Sequence, residues 1–462
     1  MGHPHAQRQT QNFIPRLVFW ETTKGCNLKC IHCRATATDI SSPDDLSTEE
    51  GFQLIDQIAS FSKPILVLSG GEPLYRKDIF ELAEYAIKKG MRVALATNGT
   101  AITNEIAKKI KDVGIARVSI SLDGHNAEIH DAFRDIPGSF DEAIRGVKLL
   151  RKHDVSVQIN NTIAKHNSMY MPEILKLTLE LGADALHTFL LVPVGCGVDI
   201  GEDMQISSEE YEKILHWFYD ESKKVDIDLK ATCAPHYFRI RAQRIEEEKK
   251  QGDHSTPFIP HGTQLKSGHV DKVTSVTDKK TGMPVQALSA MTKGCLAGTG
   301  ICFVSNTGGV YPCGYLPTEA GDIKTTHFKE IWEDSKVFAD LRNPNLLSGK
   351  CGICEYKYIC EGCRARAYAE TGDYLTEEPI CSYNPTGDGD FNQVHSIHQE
   401  AEGVMPEMEL RWDDKAKEGM KRVPFFVRKK AVQSIEAWAK EQGISFIDSE
   451  VVAQARAAKE QR

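Results

Sequence analysis

The chain has 462 residues, 41% hydrophobic and 26% charged, with 56 Lys and Arg against 65 Asp and Glu for a net charge of -9. That balance leaves no basic footprint for nucleic acid, no apolar run nears the ~20 residues that cross a bilayer, and the polar start Met1-Gly2-His3-Pro4-His5 lacks the apolar core of a secretion signal, so a cytoplasmic location without a membrane span is expected. The length suits about three domains at ~150 residues each, and 13 cysteines in a reducing compartment point to metal ligation rather than disulfides.

After an extension at 1–16, short apolar runs alternate with amphipathic helical stretches, and six strands are predicted at 17–20, 64–68, 91–96, 116–121, 155–160 and 185–191. Ser47-Thr-Glu-Glu50 and Ser139-Phe-Asp-Glu142 read as capping boxes that start helices, with Gly90 and Gly114 as helix exits. Such alternation means parallel strands with crossover helices, here a partial (β/α)6 TIM-like barrel over 17–215 whose active face is at the C-terminal strand ends. A bridging region, 216–294, carries a Lys/Glu-rich helix near 240–251 and a polar stretch at 252–290 that reads as an exposed loop. Eight cysteines crowd into 295–385, a Gly- and Asp-rich linker spans 386–405, and 406–462 reads as a small helical domain. In that tail Val427, Ala431, Ile435 and Trp438 recur at helical spacing, Gly443 ends the helix and Asp448-Ser449 starts another. Its 12 Lys and Arg against 10 Asp and Glu make it +2, which leaves -11 for the rest.

Cys26, Cys30 and Cys33 follow the first strand in the run Gly-Cys-Asn-Leu-Lys-Cys-Ile-His-Cys. Three thiolates fix three corners of a cubane iron–sulfur cluster and leave the fourth iron open to chelate a small molecule, unlike the four-thiolate centres that only carry electrons. A structural zinc site with His32 as fourth ligand is the alternative. The spacing resembles that of the radical SAM enzymes, and the resemblance implies that the open iron binds S-adenosylmethionine and makes the three cysteines the catalytic set. It further implies that Ser69-Gly70-Gly71-Glu72-Pro73 receives the methionine amino group, the glycines letting backbone approach a ligand and Glu72 accepting from the ammonium. Asn98 closes the third strand, and Ser121 and Asp123 close the fourth near the ribose or carboxylate. Asn160 and Asn161 end the fifth, Arg134 forks onto the methionine carboxylate, and His32 stacks beside adenine. The plainer reading of these is a loop cap or turn, and for His32 a side chain that merely covers the cluster.

Cys295, Cys302 and Cys313 precede the array Cys351-x2-Cys354-x5-Cys360-x2-Cys363 and then Cys381, with Gly308 five residues before Cys313. This resembles the SPASM extension of radical SAM enzymes, although that family usually has three residues, not two, between the last pair of the array. The resemblance implies a first auxiliary cluster on Cys295, Cys302, Cys313 and Cys363 and a second on Cys351, Cys354, Cys360 and Cys381, hence three [4Fe-4S] clusters in all. A zinc ribbon is the alternative. Cys196 and Cys233 fall outside these sets and are expected to be free thiols.

The opening Pro15-Arg-Leu-Val-Phe-Trp-Glu-Thr-Thr-Lys-Gly-Cys26, Phe189-Leu-Leu-Val-Pro193-Val-Gly195, Lys230-Ala-Thr-Cys-Ala-Pro-His236-Tyr237 and Gly294-Cys-Leu-Ala-Gly-Thr-Gly-Ile-Cys302 are similar to the radical SAM heme synthases of the siroheme-dependent heme pathway. That likeness implies oxidative decarboxylation of two propionates of Fe-coproporphyrin III to vinyl groups, giving heme b through a 5′-deoxyadenosyl radical. It also implies an external one-electron reductant such as ferredoxin or flavodoxin, an unknown electron acceptor, and an anaerobic or microaerobic cell. His236, Arg239 and Arg241 are candidates for the substrate carboxylates, with His236 alternatively a ligand of the porphyrin iron or a structural histidine. Val423-Pro-Phe-Phe-Val-Arg428 and Trp438 in the tail resemble a small C-terminal domain on a subunit of the dark-operative protochlorophyllide reductase. Competing readings are a SPASM maturase of a ribosomal peptide, a tetrapyrrole enzyme of heme d1 type, and an iron–sulfur carrier, which would need no open iron.

Overall fold

The computed structural model describes residues 13–38, 43–251, 294–386, 408–421 and 425–460, so the expected loop at 252–290 and nearly all of the linker lie outside the described residues. Its sheet begins with β1 (Leu17–Glu21), β2 (Ile65–Ser69), β3 (Arg92–Thr97), β4 (Arg117–Ser121), β5 (Val157–Ile163), β6 (Ala185–Leu190) and β7 (Asp228–Thr232), every neighbouring pair parallel. The six predicted strands are all present, with slightly shifted ends. Apolar residues alternate along them: Val18 and Trp20, Leu66 and Leu68, Val93 and Leu95, Val118 and Ile120 all enter one core against the crossover helices. The opposite, inner face is smaller and more polar.

Four strands carried no clear signal. β7 falls between 216 and 294, where Asp228-Leu-Lys-Ala-Thr232 offers one large apolar side chain, and it extends the sheet beyond β6. At the other edge β8 (Ile301–Val304) pairs parallel with β1, and β9 (Gly309–Tyr311) and β10 (Gly321–Asp322) add antiparallel. The order is therefore β10-β9-β8-β1-β2-β3-β4-β5-β6-β7, and the cysteine-rich segment joins the sheet by its edge.

Ser47 and Glu50 form the expected capping box, and Gly114 exits its helix in the left-handed conformation at φ +87°. Ser139 does not cap its helix. It is the first helical residue, behind Gly138, and Asp131 of the preceding helix accepts instead from Gly138 N–H, Phe140 N–H and the Ser139 hydroxyl at 2.7 to 2.8 Å. A carboxylate satisfying three donors outcompetes a hydroxyl with one.

The tail has its own core of Trp412, Ala416, Met420, Val432, Ala439 and Ile447. Helices Phe425–Glu441 and Ser449–Glu460 confirm the helical reading, and a short parallel pair, Arg411–Trp412 with Phe446–Ile447, is added to it. Glu436 anchors the unit by accepting from the backbone of Glu409 and Leu410 and from Trp412 Nε1.

Candidate active site

Cys26, Cys30 and Cys33 sit on the loop after β1, each within electrostatic reach of the others. Burial pushes the Cys26 thiol up to about 11 and raises that of Cys30, so these sulfurs become thiolates when a metal displaces the proton. The Gly-Gly-Glu turn closes on this loop: Gly71 N–H donates to Thr23 O at 2.7 Å and Glu72 N–H to Gly25 O at 2.8 Å. A Cβ on Gly70 would lie 2.5 Å from Thr23 O, and one on Gly71 would lie 2.3 Å from Gly25 O. The glycines therefore admit the backbone of the cysteine loop, where the sequence suggested a ligand.

Glu72 is fully buried and accepts from Leu74 N–H, Thr97 Oγ1 and Asn98 N–H at 3.1, 2.7 and 2.8 Å. Burial raises its pKa against those three bonds. Pro73 opens the single turn that Glu72 caps. A carboxylate has about four acceptor sites, so one remains for an ammonium while the others bind β2 to the end of β3. Asn98 continues the link, its amide donating to Asn27 Oδ1 at 2.9 Å and lying 3.9 Å from Cys26 Sγ.

Asp123 and Arg134 are engaged with each other and are not aimed at open space. Asp123, fully buried, accepts from Thr162 N–H at 2.7 Å and meets Arg134 Nη2 at 2.5 Å, while Arg134 Nη1 lies 3.6 Å from Cys30 Sγ. Burial would lower the Arg134 pKa, and Asp123 and Cys30 outweigh it and hold the guanidinium charged. That charge favours a thiolate at Cys30. The bidentate grip on a methionine carboxylate thus gives way to a bridge between β4 and the cysteine loop. His32 stacks face to face on Phe133 at 4.0 Å, with His166 on Phe133 at 4.1 Å, and burial holds His32 neutral with a pKa of about 3.

Period two separates Asn160 from Asn161. Asn161 turns to the helix side and donates to Leu122 O at 3.0 Å, whereas Asn160 stays on the inner face beside Gln158. Registered across the inner face, Ser121, Asn160, His187 and Lys230 form one row from β4 to β7. Sequence reasoning missed Lys230 because β7 was not seen, and missed His187 because only the register of β6 with β5 and β7 puts it in this row. Lys230 is half-buried, desolvation lowers its pKa, and it forms no ion pair among the described residues. Arg34, also missed, lies 4.3 Å over the Phe303 ring and 3.3 Å from Glu21.

Cys351, Cys354, Cys360 and Cys381 line one cavity, as expected of a common ligand set. His236 and Arg239 line that cavity too. Arg239 holds both oxygens of Glu212 at 2.8 and 2.7 Å, so its charge is already matched and unsuited to a substrate carboxylate. His236 Nδ1 lies 3.0 Å from the Tyr211 hydroxyl, and burial lowers its pKa to about 3. Arg241 is buried on the same helix. Cys295, Cys313 and Cys363 gather around a second small apolar cluster, but Cys302 is not with them: it lies within β8 in the main core. No three His, Cys, Asp or Glu side chains among the described residues converge as ligands of a single ion.

Among the described residues, His32 Nδ1, both His166 ring nitrogens and Thr232 Oγ1 are buried without partners. An orphaned ring nitrogen on His32, the residue before Cys33, fits a polar ligand held at a thiolate-bound cluster. Family models agree: "Radical SAM superfamily" matches residues 20–180, "Iron-sulfur cluster-binding domain" 295–364 and "Proto-chlorophyllide reductase 57 kD subunit" 412–456. A peptide-bound SuiB structure from Streptococcus suis superposes with a TM-score of 0.59 at 16% identity over 80% of this chain and 76% of that one, which shows the fold. Fold and site define a radical SAM enzyme that binds S-adenosylmethionine and iron–sulfur clusters and carries a SPASM domain. Among curated relatives, an "AdoMet-dependent heme synthase" of Methanosarcina barkeri is 50% identical over 80% of this chain and 97% of its own length. A "Fe-coproporphyrin III synthase" of the same organism is 34% identical over 79% of this chain and 87% of its own. The chain belongs to the AdoMet-dependent heme synthases. No helix among the described residues is long and apolar enough to cross a membrane.

Proposed function

We propose that the chain oxidatively decarboxylates two propionates of Fe-coproporphyrin III to vinyl groups, giving heme b. The observation that carries this is Lys230, a half-buried cation with no ion pair among the described residues, in a polar row on the inner face of the sheet. A propionate needs such a partner when it leaves water. A relative named for Fe-coproporphyrin III puts that porphyrin within the chemistry of the wider family. Cys26, Cys30 and Cys33 would hold the open cluster, with Glu72 receiving the ammonium of S-adenosylmethionine. Bound there, cluster and sulfonium supply a carbon radical able to take hydrogen from a propionate β-carbon. Loss of carbon dioxide leaves one electron, which two auxiliary clusters would accept, making three clusters in all. A ferredoxin- or flavodoxin-type donor would reduce the open one. The Arg134–Asp123 pair keeps the cysteine loop seated, and the His32–Phe133 stack shields it from water.

The test is anaerobic incubation of the iron-reconstituted chain with Fe-coproporphyrin III, S-adenosylmethionine and a reductant, followed by mass spectrometry. Stepwise loss of carbon dioxide and two hydrogens from each of two propionates, matched by 5′-deoxyadenosine, is expected. Porphyrin recovered intact while 5′-deoxyadenosine accumulates would refute the substrate.

A further inference from the structure

We infer that Cys233, just past the end of β7, is the fourth thiolate of the first auxiliary cluster, with Cys295, Cys313 and Cys363, and that Cys302 is a core residue. This rests on the reading that such a cluster exists.

Cys302 is on the wrong face. In β8 it pairs in register with Val18, and both enter the main core with Val304, Phe328 and Trp332 on the helix side. Its neighbour Phe303 is the residue that turns to Arg34 on the site side. A strand residue cannot reach the other face without a one-residue slip of the whole strand.

Cys233 lies where a ligand is needed. It packs with Cys295, Cys313 and Cys363 against the cluster of Val192, Leu316 and Ala365, and its sulfur is within electrostatic reach of all three thiols. Its backbone is left-handed at φ +54°, which breaks the alternation of β7. That conformation is strained for a non-glycine residue and persists where its surroundings enforce it. Here Arg366 enforces it, donating to Cys233 O at 3.0 Å from the helix that starts after Cys363. Arg366 also pairs with Glu378 at 2.9 Å, and Glu378 accepts from Cys363 N–H at 2.5 Å. One buried ion pair therefore ties the two cysteine-bearing segments together. Three thiolates would leave this cluster an open iron; a fourth makes it a pure electron centre. Because the fourth comes from the barrel sheet, the cluster would abut the catalytic face, with Tyr315 in reach of Cys33, Cys233 and Cys313.

The full chain, reconstituted anaerobically, is compared with Cys295→Ala, Cys233→Ala, Cys233→Ser and Cys302→Ala by iron and sulfide content and by EPR of the reduced protein. Cys295→Ala and Cys233→Ala should each lose about one third of the iron, one cluster of three, or show a three-iron signal. Cys233→Ser, retaining an oxygen donor, should keep iron with altered g-values, and Cys302→Ala should match wild type in both. Loss in Cys295→Ala with unchanged iron and spectrum in Cys233→Ala would overturn the assignment of Cys233 alone. No change in either would refute the cluster itself.

Discussion

Glu72 spends most of its acceptor capacity on the protein, which makes it sensitive to an isosteric change. In Glu72→Gln the amide must face one of three donors with its own N–H, and a buried donor left unpaired costs ~1–3 kcal/mol. Formation of 5′-deoxyadenosine should fall about 10- to 100-fold at matched iron content, as liquid chromatography would show. For Lys230→Gln the expectation is different: KM for Fe-coproporphyrin III rises about tenfold while iron content and S-adenosylmethionine binding hold, a pattern steady-state kinetics and equilibrium binding resolve. His130 contributes to the pH dependence alongside the buried His32 and His236. Its Nδ1 accepts from Asp123 N–H at 3.0 Å, and burial depresses its pKa to about 4 from the usual 6.5. The unfolded chain then binds the proton more readily, so His130 contributes stability above pH 6.5 that is lost as pH falls towards 4. Thermal melts should show Tm dropping between pH 7 and pH 5, with a smaller drop in His130→Asn.

At the scale of elements, the joints matter more than the strands. The Gly-Gly-Glu turn and the cysteine loop interlock through two backbone hydrogen bonds and two glycines without room for a Cβ, so this motif serves assembly before it serves a ligand. Arg366 and Glu378 do the same for the cysteine-rich segment, with side chains 1% and 0% exposed. Glu378→Gln strands a buried guanidinium, and breaking such a pair typically costs ~3–5 kcal/mol. A lowered Tm and impaired iron retention are expected; an unchanged melt would mean that water reaches Arg366. The helix starting at Ser139 shows why local reading fails at joints: its cap comes from Asp131, in the neighbouring helix, and spacing within the segment could not reveal that.

Across the whole molecule, catalytic and accessory parts separate by core. The heme synthase relative fits nearly its full length into four fifths of this chain, and the tail closes its own core around Trp412 and Glu436. A chain ending at residue 407 should therefore keep its iron content and, within about twofold, its rate of porphyrin turnover. A larger loss in the mass-spectrometric assay would make the tail part of the catalytic unit.

Whatever depends on neighbours along the chain was legible from the residues alone. Alternating apolar residues located six parallel strands, Ser47 and Gly114 marked helix ends, and the spacing of Cys26, Cys30 and Cys33 placed three thiols on one loop. Whatever depends on register and on strands far apart in the chain emerged with the assembled fold. It sent Asn160 inward and Asn161 outward, gave Arg134 to Asp123, added Lys230 through the weakly apolar β7, and put Cys302 in the main core and Cys233 beside Cys295, Cys313 and Cys363. Which face a side chain takes follows from how its strand pairs with another, and that pairing is written across the whole fold rather than in any one segment.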